Sequence, residues 1–311
     1  GAVQIGPNNI NKVWDWCSGY HYSDSIVIGF SHLHLNGTGC SDTGDILFMP
    51  YTGKARTQPG TQQDPLAGYA SYYSKDNERA LPGYYEVLLK THRTKVELTA
   101  SDRVAFHRYT FPKDVEKHVM INLKDANGDD RPTDTYLEQI NDTVIRGYRY
   151  STGWSKKQQI YFSAVFSQPV HLTLYHDSVQ VAGNRLQGLD VKGNVAVAPV
   201  VEELGVKVGI SPVSMENAMD NIGQEIKDWN FENIVAETTG KWNAELSKLQ
   251  VETTDTVAKR IFYTALYHAF MQPIMFNDCS GEYRGTDKNI YGDPGFTNYT
   301  VFSLWDTYRA A

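Results

Sequence analysis

Between His32 and Asp45 the chain places two histidines, one cysteine, two aspartates and three glycines in fourteen positions, with hydroxyl residues between them. A regular fold element does not need that mixture. Gly37, Gly39 and Gly44 let the backbone reach left-handed conformations and approach a ligand closely. Asp42 and Asp45 bring acceptor-only carboxylates, and His32 and His34 can donate or accept. The apolar run Ile46, Leu47, Phe48 and Met49 that follows reads as a buried strand. The polar cluster is then a loop held on a rigid sheet, where binding residues concentrate. His32 and His34 fall on one strand face, as two metal ligands would. With no third ligand in view they read as structural histidines.

Three other stretches carry chemistry-bearing residues. WDWCSGYHY, 14–22, precedes the loop; FNDCSGEYRGTDK, 276–288, and YTVFSLWDTYR, 299–309, lie near the other end. Arg284 is suited to a substrate hydroxyl, to an ion pair with Asp287 or to solvent. Asp306 sits in an aromatic, apolar run, where an ionised carboxylate needs partners. Sugar hydroxyls would serve, as would Arg309 three residues on along a helix. Trp305 is suited to stacking on a ring or to a core position. Asp125, Asp129 and Asp130 read as solvated loop charge.

The elements that must position these residues change character along the chain. Up to about residue 212 the periodicity is that of strands. The runs 84–90, 95–100, 102–111, 117–123, 143–150, 159–166, 170–176, 195–201 and 205–210 qualify, and Val96, Leu98 and Ala100 share one face. Asn127-Gly128, Ala182-Gly183-Asn184 and Lys192-Gly193-Asn194 read as turns. Many antiparallel strands without helices between them predict a sandwich, here of two large sheets. After Pro212 the period becomes helical. Ser214 caps a helix through Ile226, a second spans roughly 230–249 with Trp242, Leu246 and Leu249 on one face, and a third follows Thr253-Thr254-Asp255. Its apolar pairs, Val257/Ala258, Ile261/Phe262, Ala265/Leu266 and Ala269/Phe270, make a stripe that belongs against another helix. Pro273 ends it, and Thr297 to Arg309 reads as the start of a further helix.

Composition narrows the class. The chain has 311 residues, a net charge of −7, 41% hydrophobic and 21% charged residues. That is an ordinary globular composition, and the negative balance argues against nucleic acid as a partner. No apolar run reaches the roughly 20 residues of a membrane helix. Cys17, Cys40 and Cys279 contain no CxxC spacing, so neither a disulfide framework nor a zinc knuckle is indicated, though a Cys17–Cys40 pair is possible. The sequons at Asn36, Asn141 and Asn298 are short enough to arise by chance. Twenty tyrosines and six tryptophans suit sugar rings, which pair apolar faces with a polar rim; tyrosine is also simply a good strand residue. The start at Gly1-Ala2-Val3 reads as a chain entered partway, and the unpartnered helical faces near Ala311 read as a chain cut within a second domain.

The motifs GTGCSDTGD (37–45) and SLWDTYR (303–309), together with WDWCSGYHY, PGYY (82–85), FHRYTFP (106–112) and FNDCSGEYRGTDK, resemble glycoside hydrolase family 92, the calcium-dependent exo-acting α-mannosidases. The resemblance runs from residue 1 to 311. It implies a β super-sandwich over 1–212, a helical linker over 213–250, and over 251–311 the beginning of a catalytic six-hairpin α/α barrel. It further implies removal of non-reducing-end mannose from N-glycans or mannans, with α-1,2 linkages foremost, by an inverting mechanism. Trp305 and Asp306 match the family's tryptophan–aspartate pair, and Cys40, Ser41, Asp42 and Arg284 are carried over as further substrate contacts. The general acid, the general base and most calcium ligands are expected outside this chain, which alone should be inactive. The implied setting is secreted, periplasmic or at a bacterial cell surface, and the implied partners are α-mannoside glycans and the rest of the barrel. Two other classes stay open: a carbohydrate-binding sandwich without catalysis, and a domain that only stabilises a barrel.

Overall fold

Alternation builds the sheets. Along Val144–Thr152 each inward residue is followed by a partly exposed one, so Ile145, Gly147, Arg149 and Ser151 turn to the interior. In the computed structural model, which describes residues 2–10, 16–35, 41–125, 130–293 and 295–301, such strands form two antiparallel sheets. The seven-stranded sheet runs, from edge to edge, Gly6–Asn8, Gly29–Ser31, Leu47–Thr52, Lys117–Asn122, Val191–Val197, Val170–His176 and Val179–Val181. The nine-stranded sheet runs Arg185–Gly188, Arg131–Asn141, Val144–Thr152, Gln158–Phe166, Glu203–Ser211, Val104–Thr110, Thr94–Ala100, Tyr84–Leu89 and Glu78–Leu81. Their inner faces share one apolar core, in which Phe48, Ile121, Leu172 and Val195 of the first sheet meet Leu98, Leu137, Ile145 and Phe162 of the second. Phe48 and Phe162 meet edge to face at 6.2 Å between centroids, the geometry that ring quadrupoles favour. Burying each such side chain contributes about 1.5–3 kcal/mol.

The strand assignments depart from the sequence reading at several positions. Lys192-Gly193-Asn194 is not a turn but the middle of Val191–Val197. Turn-type residues fit there because each is satisfied inside: Asn194 accepts from Tyr51 Oη at 2.7 Å, Lys192 Nζ donates to Gln58 Oε1 at 3.3 Å, and Gly193 leaves room for Leu137, which a Cβ would approach to 2.4 Å. Arg131–Asn141, the longest strand, had no counterpart in the sequence reading because its outward face carries charge and Pro132 stands near its start. Ile46 is not part of the strand that begins at Leu47; its φ is 61°. The Asn127-Gly128 turn lies outside the described residues.

Three helices follow: α1 (Met215–Glu225), α2 (Phe231–Leu246) and α3 (Thr256–Phe270). Ser214 caps α1 by accepting from Asn217 N at 3.0 Å, and Asp255 caps α3 by accepting from Val257 and Ala258 N at 2.9 and 3.0 Å. α1 lies directly on the nine-stranded sheet: a Cβ on Gly209 would come within 2.1 Å of the Ala218 carbonyl oxygen, so only glycine permits this approach. Phe106 and Val104 close a smaller core with Ile222, Ile226, Phe231 and Ile234. α3 buries none of its residues, and Val257 and Ile261 of its apolar stripe are both 64% exposed. Tyr299–Thr300, expected as helix, pairs instead as a short strand with Ile274–Met275; residues 302–311 lie outside the described set. Among the described residues no helix is long and apolar enough to cross a membrane.

Candidate functional site

The histidines of the 32–45 segment face inward and form a chain of hydrogen bonds. His32 Nδ1 lies 2.6 Å from the Ile46 carbonyl. A carbonyl only accepts, so Nδ1 carries the hydrogen and Nε2 of the neutral ring must accept. Its partner, 2.9 Å away, is His107 Nε2, which therefore donates. His107 Nδ1 is left to accept from Tyr109 Oη at 2.7 Å. Burial depresses both imidazoles, His32 to about 4 and His107 well below its usual value, so both are neutral. His34 bonds the Gln4 carbonyl at 2.8 Å and Ser31 Oγ at 3.0 Å. These rings serve the loop's shape. His32 holds the carbonyl of Ile46, a β-branched residue in the left-handed region, where Thr43 (φ 70°) and Gly44 (φ 81°) also lie. Such backbone persists only where its surroundings over-determine it.

The loop's carboxylates are anchored across the sandwich. Asp45 and Asp130 flank Arg149, and all three are buried. Arg149 Nη1 donates to Asp130 at 2.7 Å and also to Asp45, Nε donates to the Leu123 carbonyl at 2.9 Å, and Gln158 donates to Asp45. Burial holds both carboxyls above their ordinary range despite the guanidinium. Asp130 is thus one limb of an internal ion triad, not solvated loop charge, and Asp129 lies outside the described residues. Asp125 accepts from Asn122 Nδ2 at 2.7 Å. Arg149 occupies the inward phase of an alternating strand. A charge on that phase was the available signal in the sequence, and it went unread.

Asp42, expected against substrate, is buried and accepts from two backbone amides, Trp154 N at 2.9 Å and Ser155 N at 2.6 Å. It ties the loop to the 153–155 turn. Ser41 beside it is half-buried. Arg284 is paired neither with Asp287 nor with solvent alone. It donates to the carbonyls of Pro212 at 2.8 Å, Lys288 at 2.9 Å and Val213 at 3.3 Å, and reaches Tyr161 on the strand after the 153–155 turn. Asp287 instead accepts from Tyr291 Oη at 2.5 Å. Cys40, Trp305, Asp306 and Arg309 lie outside the described residues. The structure brings Asp42 and Asp45 to one end of the sandwich and places Arg284 at the junction with α1.

That junction rests on residues the sequence reading did not single out. Asp278 is buried and accepts from Ser211, Asn217 and Asn221 at 2.6, 3.0 and 2.8 Å. Arg103 pairs with Glu225 at 2.6 Å. Burial lifts the Cys279 thiol to about 11, which leaves it protonated and unsuited to nucleophilic work. Cys17 and Cys279 carry free thiols. A cleft of about 1510 Å³ opens between the sandwich edge and α2 and α3. Its ionic groups are paired with one another: Lys75 bonds Tyr20 and Tyr73 at 2.6 and 2.9 Å and pairs with Glu78 at 3.1 Å, Lys241 pairs with Asp102 at 3.1 Å, and Lys248 pairs with Glu245. We read it as a seam between elements. Among the described residues no three His, Cys, Asp or Glu side chains converge as a metal site, so none of them is assigned to calcium.

Comparison with known proteins supplies what this geometry lacks. A family model described as the glycosyl hydrolase family 92 N-terminal domain matches residues 1–211, and one for the family's catalytic domain matches residues 217–311. A solved family GH92 α-mannosidase from Bacteroides thetaiotaomicron is 37% identical, with a TM-score of 0.95 over 100% of this chain and 43% of its own. The same enzyme has been solved with mannoimidazole, at a TM-score of 0.94. A second enzyme from that bacterium, titled an inverting mannosidase, is 22% identical with a TM-score of 0.84, and shows the fold alone. A protein of Arthroderma benhamiae described as an uncharacterized secreted glycosidase is 23% identical over 94% of this chain and 40% of its own length. The chain thus spans 40–43% of these relatives.

Proposed function

The chain belongs to glycosyl hydrolase family 92, and from that premise we propose that it is part of an exo-acting α-mannosidase that removes non-reducing-end mannose from N-glycans or mannans. The observation that carries this reading is the 37% identity, over the whole chain, to an α-mannosidase that has been solved with mannoimidazole. We assign inversion, calcium and α-1,2 linkages to the same activity, and a place outside the cytoplasm in keeping with the secreted fungal relative.

An inverting glycosidase needs one carboxylic acid to protonate the leaving oxygen and a second carboxylate to activate water. Neither role is given to a residue of this chain. Calcium, when bound, would orient and help distort the sugar; none of the described residues is given to it. What this chain contributes is substrate contact and its support. We assign Asp306 to sugar hydroxyls through charge-assisted hydrogen bonds, Trp305 to the face of the ring, and Cys40 and Ser41 to further substrate contact. The His32–His107 chain and the Asp45–Arg149–Asp130 triad hold the segment to which Ser41 belongs.

The test is turnover of an α-1,2-mannobioside by the full-length parent, with and without a chelator, with the anomer of released mannose followed by NMR. The expected result is initial release of the inverted anomer, loss of activity on chelation and recovery with calcium, while the 311-residue chain alone stays inactive. Asp306→Ala in the parent should lower kcat/KM by about 10- to 150-fold, the loss of a charged hydrogen bond worth about 1.5–3 kcal/mol, at an unchanged melting temperature. If Asp306 only pairs with Arg309, Arg309→Ala and Asp306→Ala will lose stability alike and keep turnover. Glycan binding without cleavage by the parent would instead support the binding-module reading.

A further inference from the structure

We propose that Trp154 is the platform for the sugar on the leaving-group side of the scissile bond; this rests on the mannosidase reading above and adds a specificity-determining residue to it. Trp154 is 80% exposed, at the turn between Val144–Thr152 and Gln158–Phe166. A single exposed apolar side chain is ordinary; the anchoring of this one is not. Its backbone N–H and that of Ser155 are both held by the buried Asp42 carboxylate, at 2.9 and 2.6 Å. Gly153 N closes the turn on the Ser155 carbonyl at 2.9 Å. Gly153 also lies so close to Asp42 that a Cβ there would stand 2.7 Å from Oδ1.

The backbone of Trp154 is therefore fixed relative to Asp42 and, through it, to its chain neighbour Ser41, one of the residues carried over as a substrate contact. With both Asp42 oxygens engaged by main-chain amides, Asp42 acts as a positioning residue, and the group it positions is an indole. An indole presents an apolar face with one N–H at its edge, and only two side-chain torsions need ordering. That matches a pyranose, which has an apolar face and a hydroxyl rim. An exo-acting enzyme encloses the terminal sugar and leaves the next at the mouth, where an exposed ring on a bolted turn can stack on it.

The experiment compares parental and Trp154→Ala full-length enzyme on an α-1,2-mannotriose and on α-mannosyl fluoride, whose leaving group carries no sugar. The expected result is a fall in kcat/KM for the trisaccharide of about three- to tenfold, the worth of a stacking contact, arising in KM. The fluoride should be turned over at the parental rate, the melting temperature should hold, and Trp154→Tyr should recover most of the loss. An equal loss on both substrates overturns the proposal. So does a fall in melting temperature without a change in KM, which would place the indole against the rest of the protein. A parent that cleaves neither substrate overturns the mannosidase reading itself, whereas an active parent indifferent to Trp154 removes only this inference.

Discussion

Replacing Arg149 with methionine is expected to cost about 3–5 kcal/mol of folding stability, the penalty for breaking a buried ion pair from one side. The variant leaves the Asp45 and Asp130 carboxylates buried, close together and without their shared cation. Each will rise further in pKa and take up protons in the folded state. A group whose folded pKa lies above its unfolded value favours folding below the unfolded pKa, and that advantage is lost as pH rises through the folded pKa. The destabilisation should therefore be larger at pH 8 than at pH 5. Urea titrations at the two pH values measure this, and the triple variant Arg149→Met, Asp45→Asn, Asp130→Asn should recover much of the loss. A deficit under 1 kcal/mol, or one indifferent to pH, would show that the triad contributes little.

The second expected result is a loss of stability in mild acid that is traceable to the histidine chain. His32 has its pKa lowered to about 4 by burial, and His107 is lowered as well, while an unfolded histidine titrates near 6.5. The unfolded chain thus binds protons first. The stability held by these neutral rings is complete above about pH 6.5 and drains as pH falls toward 4. For His32 alone the linkage is worth about 3 kcal/mol. The raised Asp45 carboxyl works in the opposite sense, since it takes a proton more readily when folded. The net fall should therefore be less than the histidines alone would give. His107→Gln can still donate to His32 but cannot take up a proton, so its melting temperature should vary less between pH 7 and 4.5 than the parental one. Equal slopes for the two proteins would assign acid sensitivity to other groups.

What the sequence revealed depended on whether one pattern dominated. Val170–His176 was legible from its alternation, and α1 and α3 because periodicity and capping agreed: Ser214 and Asp255 are the caps observed. Arg131–Asn141 was not, because its exposed charges mask the alternation of Thr135 and Leu137. Lys192-Gly193-Asn194 misled for the converse reason, since tertiary partners satisfy residues that in isolation favour a turn. In the 32–45 loop, composition marked a polar segment, and the structure shows what its described carboxylates and imidazoles hold. The division of labour within it was hidden, because it depends on partners about a hundred residues away. No local pattern shows that Asp42 caps the turn at Trp154, or that Asp130 shares a guanidinium with Asp45.

Those same contacts bear on the order of events when the chain folds. Asp45 and Arg149 are 104 positions apart, and Asp42 and Ser155 are 113 apart. Loop closure over such spans opposes early formation, and contacts of this kind appear late. On a ribosome, where domains acquire structure as they emerge, the 41–45 loop has its local contacts to His32 and Leu33 but lacks the partners of its two carboxylates until Arg149, Ser155 and Gln158 have left the exit tunnel. Its left-handed residues would relax until then. The 41–45 loop is thus among the last parts of the sandwich to be set, and a chain stalled before residue 158 would hold four of the seven strands of the smaller sheet with the loop's carboxylates unpaired.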